Sequence, residues 1–203
     1  MQDQQEQSKE HIILNAAVAC INRWGVDRFS MADIAKEADV ARSTVYMYFK
    51  NRDEVIRAAL LQSAYAFGEK LLNHMARFTK PEDRMVETVV FCVSTLPEEP
   101  FLAMVSSSVL SDMVREYTLT TEAGMDIGTA IMKEILQNPS INKAELREIS
   151  EYAVRFVLSL ITMESPLINN DADLRGYIAR RLLPSVGLKV PASFAYKNDE
   201  ALS

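Results

Sequence analysis

Residues 30–50 read SMADIAKEADVARSTVYMYFK, and the spacing inside this stretch decides the fold. Ser30 followed by Asp33 is a capping-box pair, so a helix is predicted to start there. Met31, Ile34, Ala35 and Ala38 then recur at helical spacing and form one apolar face. The pattern breaks at Asp39-Val40, and a second helix is predicted from near Arg42, burying Val45 and Phe49 four residues apart. Its other positions are Arg42, Ser43, Thr44, Tyr46, Met47 and Tyr48, with Lys50 just beyond. Hydroxyls, phenols and cations on the open face of a short helix suit a polar, anionic partner. Two short helices joined by a tight turn make a helix-turn-helix, which lays its second helix in the major groove of DNA.

Outward from this stretch, Ile13, Ala17, Cys20 and Trp24 form the core stripe of a preceding helix over Lys9–Trp24, which Gly25 should end. Trp24 and Phe29 are expected to plug the core behind the helix pair. Downstream, Asn51 and Glu54 give a new helix start, and the apolar pattern runs from about Arg52 to Phe78. A helix of that length should leave the N-terminal unit and enter a second one as a rigid lever.

The stretch resembles the DNA-binding motif of the TetR family of bacterial repressors. Thr44, Tyr46, Tyr48, Phe49-Lys50 and Asn51-Arg52-Asp53-Glu54 match that family's third helix and the start of its fourth, and the likeness extends back to about Lys9. It covers roughly the first quarter of the chain. The resemblance implies an all-α protein: an N-terminal three-helix DNA-binding domain and a C-terminal helical domain for ligand binding and dimerisation. It maps Ser30, Tyr46, Tyr48 and Lys50 onto phosphate-contacting positions, and Arg42, Ser43 and Thr44 onto base-facing or backbone-facing ones. Arg at a helix start can reach a guanine edge, and Met47, where the family often has His or another polar residue, either touches a thymine methyl or makes no contact. Two departures stand out. Asp39 replaces the usual turn glycine, and Ala41 replaces the usual Ser/Thr cap of the second helix.

The remainder, resembling the family in length and helical character, is read as helices over 82–96, 101–117, 122–136, 143–164 and 171–183, broken by Pro81, Pro97, Pro100, Pro139 and Pro184. Gly124 and Gly128 suggest close helix packing. From Tyr152 to Met163 the chain is apolar almost all round, so it needs cover on more than one side. A second copy is one source: Val154, Leu158, Ile161, Tyr177, Ile178 and Leu182 are candidates for a four-helix interface between two chains. Phe91, Phe101, Met104, Met113, Met132, Phe156 and Met163 supply adaptable apolar groups, individually most often core, which the resemblance raises to candidates for an effector pocket. The expected domains are a disordered tail at 1–8, a DNA-binding domain at 9–51, a ligand-binding and dimerisation domain at 52–188, and a loose tail at 189–203.

Composition narrows the function classes. The chain has 203 residues, 48% hydrophobic, with net charge −6. From Lys9 to Arg57, eight Lys/Arg against seven Asp/Glu give +1, so the acid lies mainly downstream. Two cysteines, Cys20 and Cys92, sit in apolar runs and read as buried small hydrophobes. Only His11 and His74 exist. No catalytic constellation, phosphate loop, metal-ligand set or cofactor motif is seen. No signal or membrane-spanning pattern is seen either, so the protein is expected to be cytoplasmic. The expectation is a ligand-responsive repressor, a homodimer on a palindromic DNA operator, released by a small apolar or cationic effector. The alternatives are a regulator of the same fold without an inducer or acting as an activator, and, in another class, a helical small-molecule-binding or enzyme domain.

Overall fold

A computed structural model describes residues 2–25, 28–99 and 122–196, with side chains from Lys9 onward. Among these residues every regular element is helical: α1 (Gln2–Trp24), α2 (Met31–Glu37), α3 (Arg42–Tyr48), α4 (Arg52–Met75), α5 (Pro81–Thr95), α6 (Glu122–Leu136), α7 (Lys143–Thr162) and α8 (Asp171–Ser185), with short 3₁₀ turns at Leu96–Glu98 and Ala192–Phe194. The expected helix over 101–117, with Phe101, Met104 and Met113, lies outside the described residues. The chain divides into two compact units. Among the described residues, the first takes in the chain as far as Phe67 together with Glu99; the second takes in Gly68–Glu98 and residues 122–196. The division therefore falls inside α4, downstream of the expected boundary at 51/52.

In the first unit, Ile13, Ala17, Cys20 and Ile21 of α1, Ile34 of α2, Val45 of α3 and Val55, Ile56 and Ala59 of α4 are almost wholly buried. These are the residues whose three- and four-residue spacing marks one face of each helix. The core absorbs Phe29 but not Trp24, which corrects the expectation that both plug it. Trp24 is 40% exposed, and the Arg23 guanidinium lies over its ring at 5.2 Å. It is the last residue of α1, and Gly25 turns the chain at φ 82° immediately after it, which leaves the ring at the rim. α1 opens at Gln2 instead of following a loose tail, since Gln and Glu in this run favour helix.

The second unit packs α5 against α8 and α6 against α7. Side-chain caps start two of these helices. Asn142 accepts from the Glu145 N–H at 3.0 Å, and Asn170 accepts from the N–H groups of Ala172 and Asp173. Gly128 of α6 faces Ser150 of α7, where a Cβ would overlap the serine hydroxyl. A part-buried fork joins α8 to α5, Arg175 Nε to Glu87 Oε1 at 2.7 Å and Nη2 to Oε2 at 3.0 Å. The chain from Ala192 to Tyr196 is not loose, as had been expected from Lys189. Arg180 donates to the Phe194 carbonyl and lies 4.5 Å over the Tyr196 ring, while Arg181 donates to the Tyr196 hydroxyl.

Candidate nucleic-acid interface

Ser30 has extended backbone (φ −123°, ψ 166°) and caps α2 reciprocally with Asp33. Its Oγ accepts from the Asp33 N–H at 3.3 Å, and its own N–H donates to Asp33 Oδ2 at 2.8 Å. The Ser30 hydroxyl also donates to Asp33 Oδ2 at 2.7 Å. These bonds, the hydroxyl one first, hold the Asp33 carboxyl below its ordinary pKa. A phosphate at Ser30 must displace the carboxylate from that hydroxyl.

The turn after α2 is closed by two backbone bonds. Asp39 N–H reaches Lys36 O at 3.3 Å, and Val40 N–H reaches Ala35 O at 3.0 Å. This is the Schellman pattern, which places the residue at position 39 in left-handed conformation. Asp39 indeed has φ 52°. The missing glycine is therefore accommodated by an Asp held in the conformation that glycine adopts most easily. Ala41 follows at φ −64°, ψ 144°, and α3 begins with no side-chain cap.

On α3, Val45 is wholly buried and Phe49, just past its end, is 4% exposed. Arg42, Ser43, Tyr46 and Met47 are exposed, Thr44 and Tyr48 are half-buried, and Lys50 is exposed. Met47 is 81% exposed, the most accessible large apolar side chain described. Arg42 lies along the helix, its guanidinium 5.6 Å over the Tyr46 ring and its Nη2 donating to the Tyr46 hydroxyl at 3.4 Å. The four-residue spacing of Arg42 and Tyr46 is the signal of this pairing in the sequence. The surface is anchored from behind: Arg23 forks onto Glu37, Arg52 donates to the Phe29 carbonyl, and Glu54 accepts from the Lys50 N–H at 2.7 Å.

The remaining candidates among the described residues lie in the second unit. Met132 is 5% exposed and belongs to its core. Phe91 is half-buried, its ring 4.6 Å from that of His74. Burial first, and then Arg77, hold His74 below its ordinary pKa. Phe156 stacks on Tyr177 at 5.9 Å, and Met163 is 67% exposed beyond α7. Ile178 and Leu182 are 0% exposed inside the unit's own core, which corrects their assignment to an interface between copies. Val154, Leu158, Ile161 and Tyr177 are half-buried. Cys20 and Cys92 are free and buried, and burial pushes their thiols up to about 11 and about 12. Among the described residues, no cluster could hold a metal ion and no helix is long and apolar enough to cross a membrane.

Residues 13–59 match the family described as bacterial regulatory proteins, tetR family. The HTH-type transcriptional regulator Rv1255c of Mycobacterium tuberculosis is 23% identical over 183 residues, 90% of this chain and 86% of that one. Among solved structures, RolR without ligand superposes with a TM-score of 0.66 at 15% identity, over 91% of this chain and 94% of that one. The TetR family repressor AlkX from Dietzia sp. gives 0.63 at 18% identity, over 90% and 97%. RolR in complex with resorcinol gives 0.62 at 14% identity, over 95% and 94%. The sequence match falls on the residues that build α2, the turn and α3, and the structural match extends the same helical architecture through the second unit. Residues 13–59 are thus similar to the DNA-binding part of the TetR family of bacterial regulatory proteins, and the chain as a whole shares the helical fold of the TetR family repressor AlkX.

Proposed function

We propose that this chain is a transcriptional regulator of the TetR kind, a repressor that binds a palindromic operator as a homodimer and is released by a small-molecule effector. The observation that carries the proposal is the split of α3: Val45 and Phe49 anchor it, while its cationic, hydroxylic and phenolic side chains stay outside. Tyr46, Tyr48 and Lys50, with Ser30 once its hydroxyl turns from Asp33, fix register on phosphates. Arg42, Ser43 and Thr44 face base edges or backbone, and Met47 meets a thymine methyl. The DNA-binding module is residues 9–51, and the chain from 52 to 188 supplies ligand binding and dimerisation.

One α3 reads only a few base pairs. A two-fold pair presenting its recognition helices about 34 Å apart reads two half-sites. The half-buried apolar residues of α7 and α8, Val154, Leu158, Ile161 and Tyr177, are the face proposed for a second copy. RolR, whose fold this chain shares, is known in complex with resorcinol, which supports a small-molecule effector for this chain. Phe91, in contact with His74, and the buried Met132 are the candidates retained for an apolar effector, which acts only through unequal affinity for the DNA-bound and released states.

Gel-shift binding of the full-length protein to DNA flanking its own gene tests the proposal, and effector screening by thermal shift follows from it. Lys50→Ala is expected to weaken binding to all duplexes alike and to make the salt slope shallower by about one. An unchanged slope would remove Lys50 from the phosphate contacts.

A further inference from the structure

Three local rules are broken within four residues at the entry to α3. Asp39 occupies left-handed backbone, Ala41 leaves the helix without a side-chain cap, and Arg42 puts a cation at the positive end of the helix with no acidic residue in that turn. Natural sequences concentrate such violations at functional sites. Arg42 is also the only basic residue within α3, and it is exposed. Free in solvent, its side chain would sample many rotamers, and reading a base would then require freezing them. Here the guanidinium already rests against the Tyr46 ring at 5.6 Å, with Nη2 donating to the phenol oxygen at 3.4 Å. A phenol oxygen that accepts from Arg42 keeps its own O–H to donate elsewhere.

We propose that Tyr46 is a positioning residue for Arg42: its ring holds the guanidinium in a fixed direction along α3, and Arg42 so held reads one guanine in the major groove of each half-site. The phenol O–H meanwhile remains available to a phosphate, so ring and hydroxyl have separable roles. The inference rests on α3 being the DNA-facing helix, and goes beyond that reading by naming the base and the side chain that orients its reader. The partner is duplex DNA with a G·C pair opposite the start of α3. Guanine is the base whose N7 and O6 accept a guanidinium fork.

The test is selection of randomised duplexes by the full-length protein, followed by affinity measurements on the selected duplex and its single-base variants. Wild type should prefer G·C at one symmetric pair of positions by about tenfold, and Arg42→Ala should abolish that preference alone. Tyr46→Leu, which removes the ring, should cut the same preference by about threefold or more. Tyr46→Phe keeps the ring and should retain the preference, while weakening binding to every duplex alike. Adding Tyr46→Leu to Arg42→Ala should cause no further loss of preference. The inference is overturned if Tyr46→Leu weakens all duplexes equally with the preference intact, or if Arg42→Ala leaves every base preference unchanged while wild type still selects a site. A wild type that enriches no sequence would overturn the DNA-facing reading of α3 and this inference with it.

Discussion

Ala41→Ser should stabilise the first unit by about 1 kcal/mol. The magnitude follows from what is already in place. Ala41 has the extended backbone of a helix cap, φ −64° and ψ 144°, and its carbonyl already accepts from the Thr44 N–H at 2.8 Å. A serine there needs no backbone movement; it adds a hydroxyl oxygen that can accept from an N–H of the first turn, which now has no side-chain partner. Residue 41 is exposed, so the new hydroxyl meets no core atom and incurs no burial cost. Trp24 is the chain's single tryptophan and lies at the end of α1, so its fluorescence reports on this unit in particular. With a urea slope of about 2 kcal/mol/M, the midpoint should rise by about 0.5 M. Ala41→Val, branched but with no acceptor, is the control and should not raise it. Ala41→Asp should also stabilise α3, through cap and dipole together, yet weaken DNA binding by adding an anion to a surface proposed to meet phosphate. A serine variant whose midpoint is no higher than that of wild type would falsify the reasoning, because every other element of the cap is present.

Three further outcomes follow. Asp39→Gly should stabilise the turn by about 0.5–1 kcal/mol, the relief of left-handed strain at φ 52° being partly offset by the entropy of an unfolded glycine; a lower urea midpoint would contradict this. His74 is held below its ordinary pKa by burial and by Arg77, so protonation favours the unfolded chain. Stability is full above the unfolded-state value and is lost as pH falls through the folded one, so the second unit should weaken as pH falls below about 6.5, and His74→Phe should flatten that dependence in circular dichroism melts. Gly128→Ala should destabilise the α6–α7 pair by crowding the Ser150 hydroxyl. In a Ser150→Ala background, where the Ser150 Cβ leaves 3.6 Å of room, the same change should be neutral or stabilising by up to about 1 kcal/mol; equal effects in both backgrounds would mean that the two residues do not meet.

The sequence by itself determined the helices, because period and caps are local. Ser30 with Asp33 and Asn51 with Glu54 name their helix starts by side-chain chemistry alone, and Val45 with Phe49 show which face of α3 turns inward. Asp39 stands where the resembling family has a turn glycine, and it takes the left-handed backbone that such a glycine would. What only the tertiary structure decided are matters of pairing across distance. Trp24 and Phe29 are both large aromatics near one turn, yet one is exposed and the other buried, since the choice depends on where α1 ends relative to the core. Ile178 and Leu182 have the same spacing as an interface stripe, but a helix with apolar residues on several sides does not reveal which side its own unit fills. Arg175 found Glu87, and Arg180 found Phe194, through contacts between segments that no periodicity links. Helical period fixes which residues share a face; only packing fixes what that face meets.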